Sequence, residues 1–385
     1  MKSRMSLANG ILLVSNYPSD TGYAWWLMEH FWSRLAALYA EQGGVGVVAY
    51  PAITRRPALA DQPGVTIIEQ EVLRPGSGSL ASLRRVIRHH RVKAVYLTDR
   101  GWFHPGYLLL RWWGVRTIVV HDHTPGDRPP IGGIKGWVKV LRNRLPWFCA
   151  DYQFVVSPLM RQRSLENARI PADRVLVVQN GVSPPAPEVT RETMRRTLGI
   201  DEDSLVVIST GRVHPYKRHD MIVDIADRLR QREPGLKVVW VIVGDGPALA
   251  ELREKVEQLR LDSVVRLLGF RQDTSSLLGM ADVALHPALG EGFSLSIVEY
   301  MAAGLPVLVP DIPSVSQAIE HGKTGLIHGR DDVDEAVGQL LSLANDPEQR
   351  RRMGEQAQQV ARSRYSLAEC TAAFERTARR AFGLR

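Results

Sequence analysis

The sequence predicts two doubly wound α/β domains in series, each a parallel sheet with helices on both faces. Three observations carry this. The chain has 385 residues, room for two domains at roughly 100–200 residues each. Thirteen short β-branched runs alternate with helix-like segments, and the runs are apolar almost throughout, as in strands buried on both faces. Near the middle Pro184, Pro185 and Pro187 interrupt the alternation, where they end regular structure and stiffen the chain.

In the first half strands are expected at 11–15, 45–50, 65–68, 93–97, 116–120, 153–156 and 175–178. In the second they are expected at 205–210, 237–243, 264–268, 282–285, 306–309 and 325–327. The organisation is then an N-terminal domain over 1–183, a Pro-rich linker over 184–189 and a C-terminal domain over 190–365. An amphipathic helix over 366–385 packs back toward the N-terminal domain. Ligands of such sheets bind outside the carboxyl ends of the strands. With two domains the natural place is the cleft they face.

Composition removes several function classes. Hydrophobic residues make up 44%, ordinary for a soluble globular protein. Cys149 and Cys370 are the only cysteines, too few and too far apart for a metal cluster or disulfide framework, which points to a reducing compartment. The run Ile11–Val14 is too short for a signal-peptide core, and no stretch approaches the ~20 apolar residues of a membrane span. A cytoplasmic protein without an integral anchor is expected.

The net charge of +8 is uneven: residues 1–183 hold 23 Lys and Arg against 12 Asp and Glu. A basic half suggests an anionic partner. No recognised nucleic-acid module is present, so nucleic acid is set aside. In "IGGIKGWVKVLRNRLPWF", Lys135, Lys139 and Arg142 share one helical face. Ile134, Val138, Leu141 and Leu145 line another, with Trp137, Trp147 and Phe148 nearby. Arg84, Arg85, Arg88 and Arg91 add a second basic stretch. Such segments lie on anionic membrane surfaces; a core-packed helix with a solvated basic side is the other reading.

The residues after the strands carry the chemistry. "GRVHPYK" follows 205–210 and supplies Arg212 and Lys217, a fork and a point charge suited to a diphosphate. Gly244-x-Gly246 lacks the third glycine of a dinucleotide fingerprint, position 249 being Leu, so it reads as a turn for close backbone approach. "HPALGEGFSLSIVEY" follows 282–285. Ser294 is the expected N-cap of a helix running from about Leu295 until Gly304 ends it. That N-terminus suits a phosphate. Glu291 sits in the loop at its mouth, and Glu299 about a turn inside, ~6–7 Å along the axis, where a carboxylate can hold a ribose diol. The Asp-x-Asp pairs 201–203 and 332–334 read as turns and caps rather than metal sites. "HGKTG" is not a P-loop, because Gln317 stands where glycine is required.

The ordered set "GRVHPYK", "VGDGP", "HPALGEGFSLSIVEYMAAGLPVLV" and "GKTGLI" resembles the retaining family 4 glycosyltransferases, the "group 1" transferases, of GT-B fold. The Glu-x7-Glu spacing matches at Glu291 and Glu299. The resemblance covers at least 175–330 and extends more weakly over the N-terminal half. It implies a nucleoside diphosphate sugar as donor (UDP-, GDP- or other), no cofactor and no metal requirement. It places Arg212 and Lys217 on the diphosphate with the backbone of Phe293, Ser294 and Leu295, Glu299 on the ribose, and the base near Phe270 and Arg271. The family's Gly-Gly loop corresponds to Thr21-Gly22, one glycine short, leaving Gly22 on the diphosphate. His121 matches a position where the family often has a histidine near the transferred sugar, and Asp99 lies near the same rim. Glu291, His121, Arg212 and Lys217 are thus the expected catalytic group. Trp25 and Trp26 either pack in the core with Phe31 and Trp32 or form a platform for the acceptor, a glycan or lipid-linked glycan. Two other readings stay open: a GT-B sugar phosphorylase or sugar-nucleotide epimerase, and a catalytically silent sugar- or membrane-binding relative.

Overall fold

The computed structural model describes residues 9–21, 25–73, 77–124 and 132–384. The chain forms two compact units, Met1–Asn180 with Cys370–Arg385, and Gly181–Glu369.

The first unit is built on a seven-stranded sheet. Its strands are β1 (Gly10–Val14), β2 (Gly46–Tyr50), β3 (Val65–Glu69), β4 (Val92–Thr98), β5 (Thr117–Asp122), β6 (Tyr152–Val155) and β7 (Val175–Val177). They lie in the order β3-β2-β1-β4-β5-β6-β7 and every pair is parallel. The second unit holds a six-stranded sheet in the order β10-β9-β8-β11-β12-β13, again all parallel. Its strands are β8 (Leu205–Thr210), β9 (Val238–Val243), β10 (Val265–Leu267), β11 (Val283–Leu285), β12 (Val307–Pro310) and β13 (Gly325–His328). All thirteen expected strands form, each end within two residues of its expected place. Strands buried on both faces need apolar residues over most of their length, and β1, β2 and β8 are buried throughout.

Both sheets reverse direction of growth once, between β1 and β4 and between β8 and β11. At such a reversal the adjoining connections leave on opposite faces and open a crevice at the carboxyl edge.

The units divide at Asn180–Gly181, ahead of the prolines. Val182 donates to Tyr365 O and accepts from Leu367 N, both at 2.9 Å, and so belongs to the second unit. Residues 184–189 form neither helix nor strand. The C-terminal helix Leu367–Phe382 starts where Ser366 Oγ accepts from Glu369 N. It ends in the first unit, with the Phe374 ring 4.5 Å from Phe31 and 6.3 Å from Phe154. Cys149 and Cys370 are both buried and are not joined in a disulfide. Among the described residues no helix is long and apolar enough to cross a membrane.

Candidate functional site

In the second unit, backbone contacts lace the loops after β8, β9 and β11 together. Gly244 has φ +146°, and a side chain there would run into Gly211 O. Gly211 N donates to Val243 O, Val213 N to Asp245 O, and Gly244 N to Gly269 O. The Gly-Asp-Gly turn therefore serves close approach to its neighbour loop. Leu289 N donates to Tyr216 O at 2.8 Å, which brings the loop after β11 against the short 3-10 turn Pro215–Lys217. Gln317, where a P-loop would need glycine, donates from Nε2 to Gly292 O at 3.2 Å and Ser314 O at 2.8 Å.

This lacing sets the side chains. Lys217 Nζ pairs with Glu291 Oε1, and both are largely buried. His286, the residue after β11, is buried and places Nε2 3.1 Å from the same Oε1. A carboxylate only accepts, so that nitrogen carries the proton. Burial pushes the Glu291 carboxyl up, but the Lys217 charge and the His286 hydrogen bond outweigh it and hold the group at about 2. For Lys217 burial is the largest single influence and lowers the ammonium, but the charge and hydrogen bond of Glu291, with Tyr216 and Tyr300 beside it, together outweigh burial and raise it. His286 is pushed down, by burial first, and stays neutral.

The helix after this loop is Leu295–Ala302, with Gly304 at φ +79° just beyond it. Ser294 stands at the N-cap but does not cap: its Oγ lies 3.3 Å from His286 Nε2 instead. Withdrawal of that hydroxyl leaves the first turn without a side-chain cap, an arrangement that favours an anion. Phe293 is buried against Tyr365, with ring centres 5.4 Å apart. Ser296 Oγ comes near the Gly211 turn, and Arg212 is exposed on that turn.

Glu299 lies on the second turn, half buried. Burial alone raises its carboxyl, and among the described residues no group pairs with it. Phe270, after β10, is 58% exposed. Arg271 is different from expectation: its guanidinium forks onto Asp273, Nε–Oδ1 2.8 Å and Nη2–Oδ2 2.5 Å.

The first unit has its own cluster at the reversal between β1 and β4. Asn16 Nδ2 donates to Thr98 O at 2.6 Å and Asp99 O at 3.1 Å. Asp99 has φ +53°, and its Oδ1 accepts from His123 N at 2.8 Å with His123 Nδ1 3.4 Å away. Burial raises the Asp99 carboxyl, and His123 more than offsets that, holding it below the usual range. His121 does not reach this rim. It has no exposed surface, its Nδ1 bonds Tyr96 Oη, and its ring lies among Phe31, Tyr96 and Phe154. His121 and His123, two residues apart and so on the same side of the strand, lie ring to ring at 4.0 Å, and it is His123, just beyond the strand end, that bonds Asp99.

Trp25 packs edge-on against Tyr17 and Trp32; Phe31 and Trp32 are core, and Trp26 is 41% exposed. Gly22 lies outside the described residues. The Asp-x-Asp pairs are structural: Asp203 pairs with Lys237, Asp332 caps the helix Val333–Asn345, and Asp334 pairs with Arg228. Among the described residues no three His, Cys, Asp or Glu side chains converge as metal ligands.

His286, which bonds Glu291, and the Ser294 hydroxyl beside it are the members of this cluster that sequence reasoning missed. The signal available was His286-Pro287 immediately after a strand, at the edge where ligands bind.

Comparison with known proteins bears on the family and the fold. Residues 190–360 match "Glycosyl transferases group 1" and residues 28–184 match "Glycosyltransferase Family 4". The UDP-Gal:alpha-D-GlcNAc-diphosphoundecaprenol alpha-1,3-galactosyltransferase of Escherichia coli is 28% identical over 177 residues, 45% of this chain and 46% of that protein. Matches span only 39–54% of the length of such curated relatives. A glycosyltransferase from Rickettsia africae ESF-5 superposes with TM-score 0.78 at 17% identity, over 97% of this chain and 99% of that one. Anabaena Alr3699/HepE in complex with UDP-glucose superposes with TM-score 0.74 at 20% identity, over 96% and 98%. With both halves matched and two parallel sheets arranged as in those structures, the chain belongs to the group 1, family 4 glycosyltransferases of GT-B fold.

Proposed function

We propose that the protein moves a hexose from a nucleoside diphosphate sugar to a hydroxyl of a glycan or lipid-linked glycan, with retention at the anomeric carbon and without a metal ion. The observation that carries this is the contrast at one helix start: a neutralised Lys217–Glu291–His286 group beside an uncapped first turn, with the unpaired Glu299 one turn further on. Arg212, the helix start and Lys217 hold the diphosphate; Glu299 takes the ribose hydroxyls; Phe270 lies against the base. The E. coli relative is named for UDP-Gal and Anabaena HepE was seen with UDP-glucose, so UDP sugars are the first donors to test.

The chemistry in this reading is electrostatic. Cations and helix dipole stabilise charge on the leaving diphosphate. A carboxylate held at about 2 is a weak base and a weak nucleophile, so Glu291 acts as a fixed negative charge beside the positive sugar ring. The bond from the anomeric carbon to phosphate breaks, the bond to the acceptor oxygen forms on the same face, and the acceptor's proton goes to the leaving phosphate. His123, beside Asp99, takes the sugar-side place that His121 cannot. The protein works at the inner face of the membrane in cell-surface polysaccharide or glycolipid assembly. The diphosphoundecaprenol acceptor in the E. coli relative's name supports that setting.

The test is a panel of UDP and GDP sugars with lipid-linked and soluble glycan acceptors, product configuration being read by NMR. Retained configuration and activity that survives excess chelator are expected. Inversion sinks the retaining assignment, loss restored only by Mn²⁺ or Mg²⁺ sinks the metal-free clamp, and sugar 1-phosphate formed from free phosphate identifies a phosphorylase.

A further inference from the structure

We infer that the first unit docks on an anionic lipid bilayer through the helix Gly133–Arg142 and the residues that follow it. This helix is ten residues long and buries only Gly136. A helix so short is not stable alone in water and normally persists by burying an apolar face. Here that face points into solvent. Ile134, Trp137, Val138 and Leu141 are 60–83% exposed and follow the i, i+3, i+4, i+7 spacing of one stripe. Trp147 is 61% exposed, and Trp112, on the helix Gly106–Trp112, is 78% exposed. These six are nearly half of the thirteen large exposed hydrophobics among the described residues. The two helices share one region. Trp102 Nε1 donates to Asn143 O at 3.0 Å and Arg111 Nη2 to Cys149 O at 2.8 Å, and the Phe103 and Phe148 rings stack 5.9 Å apart. A concentration of apolar side chains of this kind marks an interaction surface.

Charge decides what covers it. Neither 101–121 nor 132–150 contains an Asp or Glu. Arg111 is taken by Asp151, and Lys139 Nζ reaches Asn167 O. Arg116, Lys135, Arg142 and Arg144 complete the basic set. On the helix, Lys135, Lys139 and Arg142 form a ridge beside the apolar stripe. A second copy of this chain seated symmetrically on the stripe would bring two such ridges together, a like-charge contact. An anionic bilayer suits every part at once: tryptophans at headgroup level, Ile134 and Leu141 at the acyl boundary, Lys and Arg among the phosphates. The surface rests on the glycosyl-transfer reading only for its purpose, which is to bring the protein to an acceptor held in lipid.

The test uses the full chain and two vesicle types, pure phosphatidylcholine and an equal mixture with phosphatidylglycerol. Cosedimentation should be at least about tenfold stronger on the mixed vesicles and should weaken as salt rises. Lys135→Glu with Arg142→Glu should weaken it by about fivefold or more per charge. Trp137→Ser with Leu141→Ser should weaken it about tenfold or more, with unchanged circular dichroism and unchanged donor binding by calorimetry. Equal binding to both vesicles overturns the proposal, as does wild-type binding by both variants. So does a dimer, seen by ultracentrifugation, that Trp137→Ser splits while vesicles go unbound. If donor binding is absent from the parent protein while vesicle binding behaves as stated, the glycosyl-transfer reading fails and the docking surface stands.

Discussion

Glu291 and Glu299 flank the start of the helix Leu295–Ala302, yet the protein treats them in opposite ways. Glu291 is ionised against Lys217 and His286 and is held at about 2. Glu299 is half buried with no partner among the described residues, and burial alone pushes it up. The first is settled before any ligand arrives; the second is left strained toward one. A group that pairs only with ligand costs stability in the free protein and returns it on binding. Under the proposed function the comparison separates a fixed electrostatic element from a binding element, and each can be broken alone.

The largest effect should follow from Lys217→Met. It leaves the Glu291 carboxylate buried without its counter-charge, held only by the His286 hydrogen bond, and breaking a buried ion pair in this way typically costs about 3–5 kcal/mol. Urea unfolding at pH 7 reads the loss. Adding Glu291→Gln should restore most of the stability without restoring donor binding, since the phosphate still lacks its lysine. If the single variant stays within about 1 kcal/mol of the parent, the pair is not the keystone assigned here.

Next in size is Glu299→Ala. Losing a charge-assisted hydrogen bond of about 1.5–3 kcal/mol should weaken donor Kd roughly 10- to 100-fold, with kcat changed less. Glu291→Ala should show the reverse pattern, kcat falling more than affinity. Calorimetry beside steady-state kinetics separates the two. Normal donor affinity in Glu299→Ala removes the ribose assignment.

His286→Leu should come third. Its Nε2–H fixes the Glu291 oxygen that Lys217 also holds, so losing it frees the carboxylate to turn and leaves Lys217 as sole partner. A stability loss of about 1–2 kcal/mol is expected, together with a fall in kcat larger than any change in donor KM. Partial rescue of kcat by His286→Gln, which can still donate, marks a positioning role; equal loss in both variants means the histidine only fills space.

Much of this was legible beforehand, for definite reasons. Strands buried on both faces must be apolar over most of their length, so β1, β2 and β8 announce themselves, and the carboxyl edge follows from topology. Glu291, Glu299, Arg212 and Lys217 could be placed because their loops sit at fixed steps from those strands. What stayed hidden depends on side-chain direction. Nothing in "VVHDH" says which histidine meets Asp99: His121 is enclosed by aromatic rings, and His123, packed on it, takes the aspartate. Ser294 holds the right position to cap, but His286 competes for its hydroxyl. Arg271 has an aspartate two residues away that takes its guanidinium. In each case a local partner settles an orientation that sequence spacing leaves open. The same holds for the helix Gly133–Arg142, whose amphipathic pattern suits a core face or a lipid face equally until its surroundings are seen.

The smallest predicted effect is also the sharpest on the comparison. If Glu299 is an unpaired carboxylate disfavoured by burial, making it neutral should stabilise the ligand-free protein. The sign follows from its raised carboxyl: the native state holds this proton more tightly than the unfolded chain, so stability falls as pH rises from the unfolded value, about 4.3, through the native one. At pH 7 that cost is present, and Glu299→Gln should remove it and stabilise the ligand-free protein. At pH 4 Glu299 is largely protonated in the native state and the gain should shrink toward zero. Glu291 has the opposite sign: its contribution is complete above about 4.3 and is lost as pH falls toward about 2. Urea melts of the parent and Glu299→Gln at both pH values read the difference directly. A destabilised Glu299→Gln at pH 7 would mean that the carboxylate has a structural partner, and the division between a settled and a waiting glutamate would fall.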